Sequence, residues 1–168
     1  MTAQPVKKQP TPGDRRSLSA EQALARLQQR CSRAEQCPSD VRKKLQDWGV
    51  PEKEIPAIIK TLQAQGFIDE ARYARAFVRD KYGLAHWGTV KIKQVLYAKK
   101  IPPDTIADAL QEIDRAQYKA DLLRLLRRKK ATLKDASPAA HADRLLRFAL
   151  GRGYEYDVAL ETIAQIDE

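Results

Sequence analysis

The sequence predicts an all-α protein built from repeated groups of short helices. Apolar residues recur three and four positions apart over most of the chain, as they do along one face of a helix. No stretch shows the sustained alternation with a period of two that is typical of strands. Only 7 of the 168 residues are glycine and 32% are charged, a composition that suits helices better than a β-sandwich.

The first 17 residues differ from the rest of the chain. Residues 1–17 are rich in Pro, Lys, Gln and Thr, which predicts a disordered basic tail. A first three-helix repeat is predicted over residues 18–68. Its first helix is expected to begin with a capping box formed by Ser19 and Gln22, and its apolar positions include Leu24.

Glycine and proline mark the remaining boundaries of this repeat. Gly49 is predicted to end the second helix, and Pro51 suits the first turn of the third. The third helix carries an isoleucine-rich stripe that begins at Ile55 and is predicted to stop at Gly66. The first repeat therefore reads as three short amphipathic helices.

A second three-helix repeat is predicted over residues 69–113. Asp69 suits the N-cap of its first helix, because a carboxylate can accept hydrogen bonds from the N–H groups of the first turn. The apolar spacing predicts helices at about 70–81, 89–99 and 103–113. The last of these opens at a pair of prolines.

The pattern around Leu45 and Val50 recurs at Leu96 and Ile101, and Tyr154 takes the corresponding place in the last third of the chain. Residues 114–168 are therefore predicted to form a third repeat. Three short helices bury little apolar surface alone, so neighbouring repeats are expected to share surface in an elongated array.

Composition favours a binding protein over an enzyme. The net charge is +9, from 31 basic and 22 acidic residues, which favours a polyanionic partner such as nucleic acid. No Gly-rich phosphate loop, nucleophile elbow or HExxH motif is present, and His86 and His141 stand alone in different repeats. We therefore expect no catalysis, no metal and no cofactor.

Cysteine usage and hydropathy point to a cytoplasmic protein. Cys31 and Cys37 do not make a disulfide framework, and Cys31 is expected to pack as a small apolar residue. No apolar run approaches the roughly 20 residues that span a bilayer, and the first residues lack the apolar core of a secretory signal. Neither a membrane association nor an oligomer is expected.

Two groups of cations are candidates for binding a partner or DNA. The first surrounds aromatic residues in the second repeat, where cations can neutralise phosphate and exposed rings can stack on bases. The second is a run on one helix of the third repeat. The candidates are Arg72, Arg75, Arg79, Lys81, Trp87, Lys91, Lys93, Lys99, Lys100, Arg124, Arg127 and Arg128.

Each group also has a structural interpretation. Tyr73 and Phe77 are expected to be core residues whose truncation costs stability, so the cations beside them can simply solvate the outer face. Exposure and burial are equally plausible for Trp87, which lies between loop residues and a glycine. The run on the third repeat can be the solvated back of a helix.

The stretch GFIDEARYARAFV, with the later KIKQVLYAKKI, closely resembles the RecX family of bacterial recombination regulators. The matching positions are Gly66, Ile68, Asp69, Arg72, Tyr73, Ala74, Phe77, Gly83, Ile92, Leu96 and Ile101. The resemblance implies tandem three-helix repeats in an elongated, curved molecule. It also implies a negative regulator of RecA that binds the RecA–ssDNA filament along its groove. Such a regulator inhibits ATPase, strand exchange and coprotease activity in recombination, repair and SOS control.

A second hypothesis remains open beside that one. Three-helix units can present a helix-turn-helix-like surface, so the chain can instead be a sequence-nonspecific DNA-binding module. Strong salt-dependent DNA binding without any effect on RecA would favour that alternative. An unrecognised enzyme would need a cofactor or a cluster of reactive residues that the sequence does not contain.

Overall fold

The computed structural model describes residues 17–133 and 137–166, and within these ranges every regular element is a helix. Residues 1–16, and with them nearly all of the predicted tail, lie outside the described residues. The helices are α1 (Ala20–Cys31), α2 (Pro38–Asp47), α3 (Ile55–Ala64), α4 (Glu70–Arg79), α5 (Thr89–Ala98), α6 (Pro103–Leu110), α7 (Arg115–Lys130), α8 (Pro138–Arg152) and α9 (Tyr156–Ala164). The all-α prediction is confirmed.

The chain divides into two compact units, and the division falls between Ile68 and Asp69. In the first unit α1 and α2 both pack on α3, around a core that includes Leu27, Leu45 and Ile55. Ser19 and Gln22 form the predicted capping box at the start of α1. Cys31 packs against the edge of this core, as expected of a small apolar residue.

The second unit contains six helices in two groups of three. In the first group α4 and α5 pack on α6, and in the second α7, α8 and α9 pack on one another. The core side chains come from both groups and include the fully buried Ile92, Leu96, Tyr118 and Leu122. The exact bounds of the second and third repeats remain a prediction.

The middle helix of each group ends in the same way, which supports tandem repetition at atomic level. Gly49, Lys100 and Gly153 all have left-handed backbone, with φ of 71°, 61° and 87°. The next residue is buried each time, and its N–H bonds a carbonyl five positions back, at 3.0 Å for Val50, 3.1 Å for Ile101 and 3.1 Å for Tyr154. These bonds satisfy carbonyls that a helix end leaves open.

The structure corrects two details of the sequence analysis. Pro51 does not lie in the first turn of α3, because the Glu54 N–H bonds the Pro51 carbonyl at 2.9 Å and closes a separate turn. The proline near the start of α3 is Pro56. Phe77 is only half-buried, whereas Tyr73 is buried as predicted, because Phe77 faces the loop that follows α4.

Candidate nucleic-acid interface

Three predicted arginines lie along the exposed side of α4. Arg72, Arg75 and Arg79 recur at i, i+3 and i+7, which places them on one face of the helix. The Asp69 carboxylate caps α4 by accepting the Arg72 N–H at 2.8 Å, which fixes where this face begins. Arg75 also pairs with Glu112 at 3.4 Å, so its charge is partly balanced.

A cation–tryptophan cluster lies beside this row and consists of Phe77, Lys81, Trp87 and Lys91. The Lys91 Nζ lies 4.4 Å from the centre of the Trp87 ring, and the Lys81 Nζ lies 5.2 Å from it. Trp87 also packs against Phe77 in a T-shaped arrangement, with ring centres 6.4 Å apart. Trp87 is neither fully buried nor fully exposed, so its ring is both supported from beneath and reachable by a partner.

A π-helical turn, Asp80–Leu84, places Lys81 in this cluster. It continues directly from α4, and its hydrogen bonds span five residues instead of four, as in the bond from the Ala85 N–H to the Asp80 carbonyl. The Trp87 N–H then bonds the Lys81 carbonyl at 2.9 Å, which folds the loop back over the turn. The result is that the Trp87 ring is held beside the Lys81 ammonium.

The N-terminus of α5 is held by the C-terminus of α8. Gly88 is the N-cap of α5 and has no side chain to satisfy the first N–H groups. The Gly88 N–H bonds the Arg152 carbonyl at 2.9 Å, and the Val90 N–H bonds the Gly153 carbonyl at 3.0 Å. Opposite helix ends thus satisfy each other's open backbone groups, with a favourable alignment of their dipoles. We call this contact the α5–α8 joint.

The joint requires glycine on both sides. A Cβ on Gly88 would lie 2.1 Å from the Gly153 oxygen, and a Cβ on Gly153 would lie 2.2 Å from the Lys91 Cβ. Gly153 also has φ of 87°, which other residues adopt only with strain. Because Lys91 touches Gly153, the joint fixes the cation that lies closest to Trp87.

A partly buried polar network supports the joint from α7 and α9. The Tyr118 hydroxyl accepts the Thr89 N–H at 3.1 Å and donates to the Glu155 carboxylate at 2.6 Å. The Thr89 hydroxyl donates to the same carboxylate at 2.9 Å, and Arg115 donates to it at 3.1 Å. The Thr89 N–H, which lies between those of Gly88 and Val90 at the start of α5, therefore also has a partner.

Protonation states are fixed by these contacts. Burial and the bond to Glu155 raise the pKa of Tyr118, so its hydroxyl remains a donor. Burial would raise the pKa of Glu155, but hydrogen bonds from Tyr118, Thr89 and Arg115 outweigh it and lower that pKa. Burial also raises the pKa of Tyr154, whose ring centre lies 4.9 Å from that of Tyr118, to about 12.

The other predicted cations lie at separate places. Lys93 and Lys100 are exposed on and just after α5, and the Lys99 Nζ lies 6.0 Å from the Tyr73 ring centre. On α7, Arg124 pairs with Asp121, while Arg127 and Arg128 are exposed. Lys134, which continues this basic stretch in the sequence, lies outside the described residues.

Nothing in the sequence marks Tyr118 or Glu155 as the residues that support the joint. They are 37 positions apart, and a Tyr or Glu at a helix start carries no local signal of a distant partner. The glycines at 88 and 153 are a weak signal, because they flank helix ends where close backbone approach is common.

Two kinds of feature are absent from the described residues. None of the helices in residues 17–133 and 137–166 combines the length and apolar character needed to cross a bilayer. Across the same ranges, no group of three or more His, Cys, Asp or Glu side chains is arranged to hold a metal ion.

Comparison with known proteins places this chain in a family. A family model described as "RecX, second three-helix domain" matches residues 69–110, which include α4, α5, α6 and the loop with Trp87. A regulatory protein RecX from Leptothrix cholodnii is 32% identical over 114 residues, covering 68% of this chain and 69% of the relative. The chain belongs to the RecX family.

Other RecX proteins agree with that assignment. One from Clostridium botulinum (strain Eklund 17B) is 32% identical over 127 residues, which are 74% of this chain but only 59% of that longer relative. The crystal structure of RecX from Lactobacillus salivarius has a TM-score of 0.77 at 21% identity, covering 88% of this chain and 96% of that one. A second RecX crystal structure gives 0.79 at 24%, covering 87% and 73%. The two crystal structures show that the helical fold is shared.

Proposed function

We propose that this RecX-family chain is a negative regulator of the RecA recombinase. It binds the RecA–ssDNA filament along its groove and inhibits the ATPase, strand-exchange and coprotease activities of RecA. Its place is in recombination, DNA repair and control of the SOS response. Family membership supports a regulatory role, and the surface of the second unit supports a polyanionic target.

The observation that carries the proposal is the cation–tryptophan cluster beside the arginine row of α4. Lys81 and Lys91 flank an aromatic ring that a base or a protein side chain can reach, and Arg72 and Arg79 extend the positive surface along the neighbouring helix. Rings combined with cations are a common means of binding single strands and protein interfaces. A RecA–ssDNA filament presents both a single strand and a protein surface.

The mechanism we propose needs no chemistry by this chain. By binding one state of the filament more tightly than others, the protein would shift RecA away from its active state. The cations contribute long-range attraction, so binding should weaken as salt rises. The α5–α8 joint contributes indirectly, because it holds Lys91 and the loop with Trp87 in place.

A RecA-dependent ATPase assay on single-stranded DNA tests this proposal. We expect the chain to inhibit ATP hydrolysis at amounts that are substoichiometric or equal to RecA, with weaker inhibition at higher salt. No inhibition at a stoichiometric amount would contradict the proposal.

The cluster also suits a sequence-nonspecific DNA-binding module, because the same groups would bind a bare single strand. Pull-down on RecA–ssDNA filaments and on bare ssDNA separates the two functions. A regulator should be retained much better by the filament. Equal retention on both, with unchanged RecA activity, would favour the DNA-binding module.

A further inference from the structure

A polar cavity lies between the loop after α4 and the outer side of α7. Its volume is about 380 Å³, within the range of pockets that bind small molecules. The loop contributes one wall and α7 the other, so the cavity joins parts of the chain about 40 residues apart. Its lining residues are Tyr82, Gly83, His86, Asp121, Arg124, Leu125 and Arg128.

The charge of Asp121 is compensated within the wall. Its carboxylate accepts hydrogen bonds from the Tyr82 hydroxyl at 2.6 Å, from the Gln117 amide at 2.7 Å and from Arg124. Burial would raise the pKa of Asp121, but these three bonds outweigh it and lower that pKa. Asp121 therefore stays ionised and orients Arg124 toward the cavity rim.

Arg128 leaves the cavity with an excess of positive charge. It lies one helical turn after Arg124, lines the same cavity, and has no ion pair or hydrogen bond within the described residues. The Arg124–Asp121 pair is neutral as a whole. The guanidinium of Arg128 is thus available to an anion, with five donors in a planar fork.

His86 lies opposite these arginines and has strained backbone. Its φ is 53°, in the left-handed region that non-glycine residues enter only at a cost. Such strain is concentrated at functional sites, where it holds a side chain in a needed position. In either protonation state the imidazole offers an N–H donor to a ligand in the cavity.

We propose that this cavity binds the phosphate group of a nucleotide. Arg128, Arg124 and His86 would donate to the phosphate oxygens, while Tyr82 and Leu125 offer apolar surface to the sugar or base. The phosphate can belong to a free nucleotide or to a DNA strand. Binding itself does not depend on RecA, but a role for the site on a filament rests on the proposed function.

Titration of the full chain with two probes tests the site. One probe is dTMP, with thymidine as its phosphate-free control, and the other is an oligo(dT) strand without a terminal phosphate. We expect dTMP to bind more tightly than thymidine. The oligonucleotide should bind more tightly than dTMP if the natural ligand is a DNA strand, and less tightly than dTMP if the natural ligand is a free nucleotide.

Two variants locate the binding. Arg128→Gln removes the available charge, and His86→Gly removes the imidazole while relieving the backbone strain. Each should lower affinity for the phosphate-bearing probe about tenfold, the scale of one charge-assisted hydrogen bond. His86→Gly should at the same time raise Tm, because it relieves the backbone strain. If His86 had a purely structural role, the substitution would not raise Tm and weaken binding together. Arg144→Gln, on an exposed arginine of α8 outside the cavity, should leave affinity within twofold.

The outcomes separate this site from the proposed function. The proposed site would be contradicted if neither probe binds or if dTMP and thymidine bind equally. It would also be contradicted if all three variants lose affinity equally. Phosphate binding by a chain that does not inhibit RecA would uphold the site and contradict only the proposed function.

Discussion

The two ends of α5 are built in opposite ways, although both lie next to cations of the proposed interface. At the N-terminal end, Gly88 is pressed against the α8 terminus, and the N–H groups of Gly88, Thr89 and Val90 each bond a partner outside α5. At the C-terminal end, Lys100 takes up left-handed backbone, and the N–H groups of Lys100 and Ile101 bond carbonyls of α5 itself. The N-terminal end is thus a tertiary contact with no room for an added atom, whereas the C-terminal end is capped by hydrogen bonds within its own helix.

This contrast shows how one short helix can serve stability and binding together. Tertiary contacts fix its N-terminus and thereby hold Lys91 beside Trp87. Its far end presents Lys100 on the surface, where the side chain is exposed. Substitutions at the first end should therefore change the free energy of unfolding much more than substitutions at the second.

The largest expected effect is that of Gly153→Ala. The new Cβ would overlap Lys91 and the backbone would be strained at positive φ, so we expect a loss of about 3 kcal/mol or more in the free energy of unfolding. Urea denaturation measures it. Gly151→Ala is the matched control on α8, because its Cβ would meet nothing within 4 Å, and it should be neutral or stabilising by up to about 1 kcal/mol. Equal effects of the two substitutions would contradict a tightly packed joint.

The next effect is that of Tyr118→Phe. Loss of the hydroxyl leaves the buried Thr89 N–H and a part-buried Glu155 oxygen without their partner, which should cost about 2 kcal/mol. Tyr97→Phe, at an exposed tyrosine on α5, should change the unfolding free energy by no more than about 0.5 kcal/mol. If Tyr118→Phe were as mild as that control, the network would not support the joint.

A smaller effect should appear in the dependence of stability on pH. The pKa of Glu155 is lowered in the folded chain, so its contribution is fully present above the ordinary Glu pKa, about 4.3. That contribution is lost as pH falls through the lower folded pKa. Glu155→Gln should flatten the acid limb of the stability curve between those two values. Asp121, whose pKa is also lowered, should maintain part of the slope in that variant. An unchanged acid limb would show that Glu155 is not stabilised by its neighbours.

The smallest effect, and one of opposite sign, is expected at the other end of α5. Lys100→Gly relieves left-handed strain, which should outweigh the added flexibility of the unfolded chain and raise the unfolding free energy by up to about 1 kcal/mol. Lys93→Gly, at an exposed position inside the same helix, should lower it by about 1 kcal/mol. Destabilisation by both substitutions would remove the proposed contrast between the two ends.

Much of the fold could be predicted from the sequence because its signals are local. Gly49, Gly66 and the capping box of Ser19 and Gln22 announce helix ends through residue type alone, and the structure has them there. Lys100 shows the limit of such signals. It takes up the same left-handed backbone as Gly49 and Gly153, but nothing in a lysine indicates this; only its place in the repeat does.

The candidate site was less accessible to sequence reasoning. The cations beside aromatic residues could be named, since they lie close together in the chain. The partners of these residues could not, because they come from distant segments. Only folding brings Gly153 into contact with Lys91, and only folding places Arg128 in the same cavity as His86. The prediction of Phe77 as core failed for a related reason, since the neighbouring loop leaves that ring half-exposed.

RecA-dependent ATPase inhibition by a charge-reversed variant tests the central claim most directly. The variant carries Arg72→Glu, Arg79→Glu and Lys93→Glu, and its control carries the same change at Lys43, Lys53 and Lys60, which are exposed in the first unit. We predict that the amount needed for half-inhibition rises at least about tenfold for the first variant and changes little for the second, with unchanged helicity in both. Equal inhibition by both variants would contradict the assignment of the α4–α5 surface to the RecA filament.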